Sequence, residues 1–406
     1  MTRRTSSAAL VRDLAVLCVA LALAGQWIIL HGLAHVPVGP LWGTILPGLA
    51  IFGSAALLSW GAELAQLEIS QALSLAFLAL VAVLPEYAVD MYLAWKAARD
   101  PSYIAFAAAN MTGANRLLIG MGWSVVLLVY WAATRRRTIR VKPEQRLELL
   151  TLFVATAYAF LLPLKRSLSI LDTVFFVGLF VIYIRRARHG PVEEPGLVGP
   201  PERLAALHRT WRRLATVVLF IIPAYTIFIS AEPFANGLLR QARRLGVEEF
   251  VLIQWLAPIA SEAPEFIVAV MFALRNNPTA GLGTLISSKV NQWTLLIGML
   301  PLVYAVSGGH LQPMALDARQ SEELFLTAAQ SLLGLVILAN LSFGLWEAIL
   351  LLALFLLQFV FPSPEIRTAL GVGYIVLAIG YLANRSFRQS FAALLQQGWR
   401  SHRNVD

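Results

Sequence analysis

The stretch LAPIASEAPEFIVAVMFALRNNP, residues 256–278, places Glu262 and Glu265 around a proline in the middle of an otherwise apolar segment. An earlier stretch, LVAVLPEYAVDMYLAWKAARDP at residues 80–101, repeats the arrangement with a proline directly before Glu86. A charge at the centre of a bilayer costs at least about 2.5 kcal/mol. The alternative, a neutral glutamate hydrogen-bonded inside a helix bundle, would have to arise twice at equivalent positions. The repeated Pro-Glu pair therefore indicates a functional site.

Composition places the chain among integral membrane proteins. Hydrophobic residues make up 58% of its 406 residues, charged residues 14%, and the mean hydropathy is +0.69, whereas a soluble domain carries about 25% charged residues. The net charge of +9 comes from basic clusters at the ends of apolar runs, a pattern that reflects membrane topology rather than binding to nucleic acid. The single cysteine, Cys18, excludes an internal disulfide and a cysteine-based metal cluster.

Apolar runs of about 20 residues, the length of a membrane span, predict an all-α, polytopic membrane protein with about 12 transmembrane helices. The first run is interpreted as a span rather than a cleaved signal peptide, because it is long and Arg12 and Asp13 lie at its start. The predicted helices cover about 12–32, 43–65, 71–98, 102–131, 147–163, 169–185, 213–237, 249–275, 279–306, 323–341, 344–361 and 367–386.

The basic clusters also predict the orientation of the chain. Three basic segments fall on the same side of the membrane as the N-terminus. They are TRRRTIRVK at 134–142, the polar linker at 187–212 and the C-terminal tail. The positive-inside rule then makes both termini cytoplasmic, in what we expect to be a prokaryotic plasma membrane. Smaller clusters near Lys165 and Arg240 fall on the opposite side and weaken this assignment without reversing it.

The two halves of the chain repeat one another with opposite topology. The sequence PEYAV at 85–89 matches PEFIV at 264–268, and LLIGM at 117–121 recurs unchanged at 295–299. We expect two inverted five-helix repeats with one extra helix at each end. The predicted domains are an N-terminal extra helix (1–40), the first repeat (41–186), a cytoplasmic linker (187–212), the second repeat (213–362) and a C-terminal extra helix with a basic tail (363–406).

Inverted repeats with interrupted helices are typical of secondary transporters, whose ion site lies near the bilayer midplane. Carboxylates beside carbonyl oxygens freed by proline suit hard cations, so Glu86 and Glu265 are the predicted metal ligands. Asp90 follows Glu86 by four residues and Glu262 precedes Glu265 by three, which puts each pair on one helix face. At least one member of each pair is expected to be protonated without a metal ion. Asp90 is a possible proton site or a boundary residue within reach of water.

These residues resemble the sodium/calcium exchanger membrane region family of the calcium/cation antiporter superfamily, over about 43–361. That family carries two inverted motifs, Thr-Ser-x-Pro-Glu followed by Gly-Ser-Asn-x-x-Asn/Asp. The resemblance implies antiport of calcium or sodium against sodium or protons by alternating access, with helices 43–65 and 213–237 sliding past a core. It implies inorganic cations and the lipid bilayer as partners, no cofactor and no enzymatic activity. The implied cation-binding residues are Glu86, Glu262, Glu265, Ser261, Ser288, Asn110, Asn115 and Gln292.

Several positions depart from the family pattern. Ala82 and Val83 replace the first Thr-Ser, and Gln292 replaces a carboxylate, so fewer ligands remain for the family's usual site, which holds several sodium ions or one calcium ion. Lys289 and Arg116 bring positive charge into the ligand-bearing helices. Each is interpreted either as a tethered countercharge or as a side chain that reaches a helix end or interface.

Lys289 is expected to pair with Glu262. For Asp172 and Glu347, favourable placement at a helix N-terminus is the preferred interpretation.

Two further functions compete with antiport. One is an ion channel or uniporter, which would need rings of ligands rather than paired inverted gates. The other is a transport-inactive sensor or scaffold, which the eroded first motif would favour. No nucleotide-binding loop of the GxxxxGK[ST] type is present, so ATP-driven transport is disfavoured.

Overall fold

The computed structural model describes residues 7–67, 84–187, 197, 199–361 and 363–397. Within these ranges the chain is almost entirely helical. Residues 71–83 of the third predicted helix, including Ala82 and Val83 of the altered first motif, lie outside the described residues.

The described helices follow the order of the predicted apolar runs, and four short strands, which were not predicted, lie between them. The helices are α1 (Ser7–Trp27), α2 (Trp42–Ala65), α3 (Leu84–Ala97), α4 (Ser102–Leu117), α5 (Ser124–Thr134), α6 (Arg146–Ala159), α7 (Leu161–Lys165), α8 (Ile170–Ala187), α9 (Pro200–Ala205), α10 (Arg209–Leu245), α11 (Glu249–Leu274), α12 (Pro278–Asn291), α13 (Ile297–Gly308), α14 (Ala318–Leu338), α15 (Leu345–Val360), α16 (Pro364–Ala383) and α17 (Arg385–Gln397). The strands are β1 (Thr138–Arg140), β2 (Ser167–Leu168), β3 (Met314–Ala315) and β4 (Ser342–Gly344).

Every predicted helical range contains helix in its described part. Among the described residues, 9 continuous helical segments are long and apolar enough to cross a membrane, and Leu345–Val360 is a shorter apolar helix. The segment predicted as a linker differs from expectation, because it contains the short helix α9 and because α10 begins at Arg209 rather than near 213. Helix α17 was not predicted; its sequence is too polar to register as a span.

The chain forms two compact units, and the first comprises Met1–Tyr92 and Pro191–Glu265. Its helices pack through small residues. A side chain at Gly53 of α2 would collide with Ala20 and Leu23 of α1, and one at Gly237 of α10 would collide with Thr44 of α2. Such close approach of backbones is how helices gain packing energy where no water can be expelled between them.

The linker helix α9 docks within this first unit. Arg203 of α9 donates to the buried Asp13 of α1 at 3.0 Å, and Leu204 packs against an apolar cluster formed by α1, α2 and α10. The described part of the polar linker is therefore held against the start of α1, where Asp13 lies.

The second unit comprises Leu93–Gly190 and Phe266–Asp406. Helix α14 is largely buried at its centre, in contact with α4, α6 and α16. Two short antiparallel ladders tie its loops together. Strand β1 pairs with β4, and β2 pairs with β3.

Asp172 at the start of α8 is buried, and its carboxylate accepts several hydrogen bonds, including one from the backbone at the helix N-terminus. It accepts from Lys165 Nζ at 2.5 Å, from the backbone N–H of Ser169 at 2.6 Å and from Tyr158 Oη at 2.8 Å. Glu347 of α15 accepts the backbone N–H of Gly344, the N-cap residue of that helix, at 2.6 Å. Both acids therefore satisfy backbone donors at helix starts.

The irregular helical turns do not lie at the prolines of the second motif. Helix α11 runs without a break through Pro258 and Pro264. The α-helical pattern instead widens to π-helix at Leu118–Trp123 and at Gln292–Leu296, each of which overlaps one copy of the repeated LLIGM sequence. Such π-helical turns are frequent at functional sites.

Candidate functional site

Four acidic side chains come together in the first unit. Glu86 and Asp90 lie on α3, Glu262 and Glu265 lie on α11, and all four are buried. The carboxyl groups of Glu86 and Glu262 lie next to one another, while Asp90 and Glu265 are close enough to act electrostatically on Glu86. The repeated Pro-Glu motifs, although far apart in sequence, thus place their acids in one cluster.

Glu86 and Glu265, the acids of the two Pro-Glu pairs, have carboxyl oxygens without a hydrogen-bond donor among the described residues. Neither oxygen of Glu86 accepts a hydrogen bond from an N–H or hydroxyl group in the described part of the chain, and the same holds for Oε2 of Glu265. Ser261, one turn before Glu265, donates its hydroxyl to the carbonyl oxygens of Ala257 and Pro258 at 3.2 and 3.3 Å. Buried carboxylates without donors are costly, and a hard cation or a proton would relieve that cost.

The cluster is not by itself a complete cage for a metal ion. Across the described ranges, no three His, Cys, Asp or Glu side chains have the arrangement of a metal centre. Additional oxygen ligands from hydroxyl, amide or carbonyl groups would be required, because Ca²⁺ takes six to eight.

The remaining predicted ligands lie in the second unit, on α4, on α12 and at the start of the π-helical turn that follows α12. Asn110, Asn115, Ser288 and Gln292 are all buried. Neither side-chain atom of Asn110 has a hydrogen-bond partner among the described residues. Gln292 is the first residue of the π-helical turn that follows α12.

Lys289 is held within the second unit by an asparagine. Its Nζ donates to Asn115 Oδ1 at 2.7 Å and to the backbone oxygen of Asn115 at 3.3 Å. The same Nζ lies 4.4 Å from the ring centroid of Trp293, a cation–π distance. Trp293 in turn donates to Thr156 Oγ1 at 3.1 Å. Asn115 was predicted as a cation ligand, and its side-chain oxygen bonds the ammonium of Lys289. The expected pairing of Lys289 with Glu262 joins residues of different units and stays a prediction.

Arg116, the other cation predicted in the ligand-bearing helices, binds an acid and an amide. Its Nη2 lies 2.6 Å from Glu323 Oε2 and its Nη1 donates to Gln358 Oε1 at 3.1 Å. Arg367 of α16 approaches the other oxygen of Glu323 at 3.6 Å and bonds Glu322 at 3.0 Å. Arg116 and Glu323 are both almost completely buried, so this chain of charges is an internal ionic network.

Sequence reasoning missed this network. The two adjacent acids Glu322 and Glu323 near the start of an otherwise apolar helix, and Arg367 near the start of another, were its available signals.

Comparison with known proteins gives a consistent result. A family model described as sodium/calcium exchanger protein matches residues 39–187 and 215–363. The crystal structure of the H⁺/Ca²⁺ exchanger CAX is 43% identical, with a TM-score of 0.91, and the match covers 97% of this chain and 98% of that one.

A more distant structure shares the fold, and a further relative is similar in sequence. A structure of the sodium-calcium exchanger NCX_Mj is 20% identical, with a TM-score of 0.53, over 79% of this chain and 98% of that one. The putative antiporter CaxA of Alkalimonas amylolytica is 23% identical over 53% of this chain, and the match spans 64% of that relative's length.

Proposed function

The chain belongs to the sodium/calcium exchanger protein family, and from that premise we propose that it is a secondary-active antiporter that exchanges Ca²⁺ for protons by alternating access. The observation that carries this proposal is the buried cluster of Glu86, Asp90, Glu262 and Glu265, in which neither oxygen of Glu86 has an N–H or hydroxyl donor among the described residues. The 43% identity to an H⁺/Ca²⁺ exchanger over almost the whole chain supports the choice of ions.

The chemistry of the cluster fits two exchangeable ligands. Ca²⁺ binds carboxylate and neutral oxygens, and a carboxylate that loses its metal ion in a low-dielectric site takes up a proton instead of remaining charged. A site that holds either Ca²⁺ or protons, but not both at once, couples their movements in opposite directions. Glu86 and Glu265 are the principal ligands in this proposal.

The departures from the family pattern favour protons over sodium as the counter-ion. Several sodium ions need several sets of oxygen ligands, and Gln292 supplies one carboxylate fewer. Lys289 adds a fixed positive charge beside Ser288, bonded to Asn115. A resident ammonium leaves less room and less negative charge for additional cations.

The proposal is tested by flux measurements in proteoliposomes. Ca²⁺ loaded inside should leave when the outside is made acidic, and a sodium gradient at constant pH should have no effect. Glu265→Gln should abolish the proton-driven flux while the protein remains folded in detergent. Calcium movement driven by sodium but not by protons would contradict the proposed counter-ion.

A transport-inactive sensor or scaffold is the second candidate function. The observation in its favour is that the ammonium of Lys289 donates a hydrogen bond to the side-chain oxygen of Asn115, a predicted cation ligand. Counterflow of labelled Ca²⁺ separates the two candidates, because a sensor would bind the ion without exchanging it across the membrane.

A further inference from the structure

Glu232 is an acidic residue inside a membrane helix that the carboxylate cluster does not include. It lies in α10, which is long and apolar enough to cross a membrane, and its side chain is exposed. Although α10 continues to Leu245, the predicted span 213–237 ends five residues after Glu232, about 8 Å along the axis. Glu232 therefore lies in the outer part of the span, where its exposed carboxylate must reach water on the outer side.

Two polar side chains fix the position of Glu232 within the first unit. Tyr92 Oη donates to Glu232 Oε1 at 3.2 Å, and Asn236 Nδ2 donates to Tyr92 Oη at 2.7 Å. Glu232 and Asn236 are one turn apart on α10 and share a helix face. Tyr92 belongs to α3, the helix that carries Glu86 and Asp90.

This trio lies on the approach to the carboxylate cluster from one side. Tyr92 follows Glu86 by six residues on α3, which corresponds to about 9 Å along the helix axis. The predicted topology runs α3 from inside to outside, and Glu232 falls in the outer half of α10 in the same topology. Both helices therefore place the trio on the predicted outer side of Glu86.

We propose that Glu232, Tyr92 and Asn236 form an outer access site for a hydrated hard cation of the Ca²⁺ class. This inference rests on the proposed function, because it concerns the route to the same carboxylates. A single carboxylate with a phenol and an amide offers far fewer than the six to eight ligands of dehydrated Ca²⁺. The cation therefore keeps most of its water, exchanges rapidly and is concentrated near the cluster by the charge of Glu232.

The charge of Glu232 is the property that the experiment must remove. In right-side-out membrane vesicles at low ionic strength, Glu232→Gln should raise the KM for external Ca²⁺ by about three- to tenfold and leave the maximal rate unchanged. In everted vesicles, which present the cytoplasmic face, KM should stay at the wild-type value. The difference should shrink at about 1 M choline chloride, where the Debye length is about 3 Å.

Glu249→Gln is the matched control. Glu249 is another acid near the predicted outer surface, paired with the exposed Arg243 and not part of the trio, so its loss should leave KM unchanged on both sides. Tyr92→Phe retains the carboxylate and removes its phenol donor, and should give a smaller rise in external KM. It keeps the test decisive if Glu232→Gln does not fold.

Equal KM values for Glu232→Gln and wild type on the outer side would overturn the access site, as would the same change on both sides. Either result would leave proton-driven Ca²⁺ exchange standing. A wild-type protein that moves no Ca²⁺ under any gradient would instead overturn the proposed function and this inference with it.

Discussion

The ammonium of Lys289 is bound by Asn115, with Nζ 2.7 Å from Oδ1 and 3.3 Å from the backbone oxygen of the same residue. The two residues lie on α12 and in α4, the helices that carry the predicted ligands of the second unit. A protein side chain thus supplies a permanent cation to an asparagine that was predicted to bind a transported one. Variants of Lys289 can therefore show how this resident cation affects charge balance and transport.

Lys289→Met should lower both thermal stability and transport, because it leaves the oxygens of Asn115 without their charged donor, a loss of about 1.5–3 kcal/mol. If Lys289 also balances Glu262, combining Lys289→Met with Glu262→Gln should recover part of the loss. Melting temperature and electrogenic current of the four proteins provide the measurement. Strictly additive effects would contradict the pairing, and an unchanged Lys289→Met protein would contradict any role for the lysine.

Glu265→Gln should impair Ca²⁺ transport more than Glu86→Gln. The second motif retains Ser261 and Glu262 on the same helix as Glu265, whereas the first motif has lost its two hydroxyl residues. Initial rates of Ca²⁺ uptake at saturating concentration, normalised to folded protein, test the ranking. Equal residual rates in the two variants would show that both motifs contribute alike.

Arg116→Met should destabilise the protein strongly, because the buried Glu323 loses the guanidinium that lies 2.6 Å from its Oε2, while Arg367 lies at 3.6 Å from its other oxygen. Breaking one partner of a buried ion pair costs about 3–5 kcal/mol. The double variant Arg116→Met with Glu323→Gln should be more stable than Arg116→Met alone, since no buried charge is then left unbalanced. Thermal unfolding in detergent measures the effect, and a double variant that is less stable than either single one would be inconsistent with this network.

Asp172→Asn should reduce thermal stability more than Glu347→Gln does, although the two acids occupy comparable helix starts. Asp172 binds an ammonium, a phenol and a backbone N–H, whereas Glu347 accepts the backbone N–H of Gly344. The loss at Asp172 should be on the order of 2 kcal/mol for its charged hydrogen bonds. Neither variant should change the KM for Ca²⁺ once differences in folded protein are taken into account, and a changed KM would connect these helix starts to the ion route.

Much of the fold follows from the sequence because a membrane span is a local property. About 20 consecutive apolar residues must form a helix in a bilayer, where every backbone polar group needs an internal partner. Each predicted range therefore contains helix wherever it is described, with ends that differ by up to about eight residues, as in α10. The clustering of Glu86 with Glu262 and Glu265 was predictable for a related reason, since three buried acids in matching motifs have few inexpensive alternatives to a shared site.

The partners of the buried cations depended on tertiary structure. Lys289 reaches Asn115 across 174 residues and Arg116 reaches Gln358 across 242, and no local pattern specifies which of several buried acids or amides a long side chain will meet. Likewise, the prolines of the two motifs drew attention to those segments as irregular, yet α11 is continuous, as its predicted range 249–275 implies, and the π-helical turns lie at Leu118–Trp123 and Gln292–Leu296. Sequence determined which residues had to leave lipid, because that cost belongs to each residue separately. Only the packing of helices decided what each of them binds, because a contact depends on the positions of two segments at once.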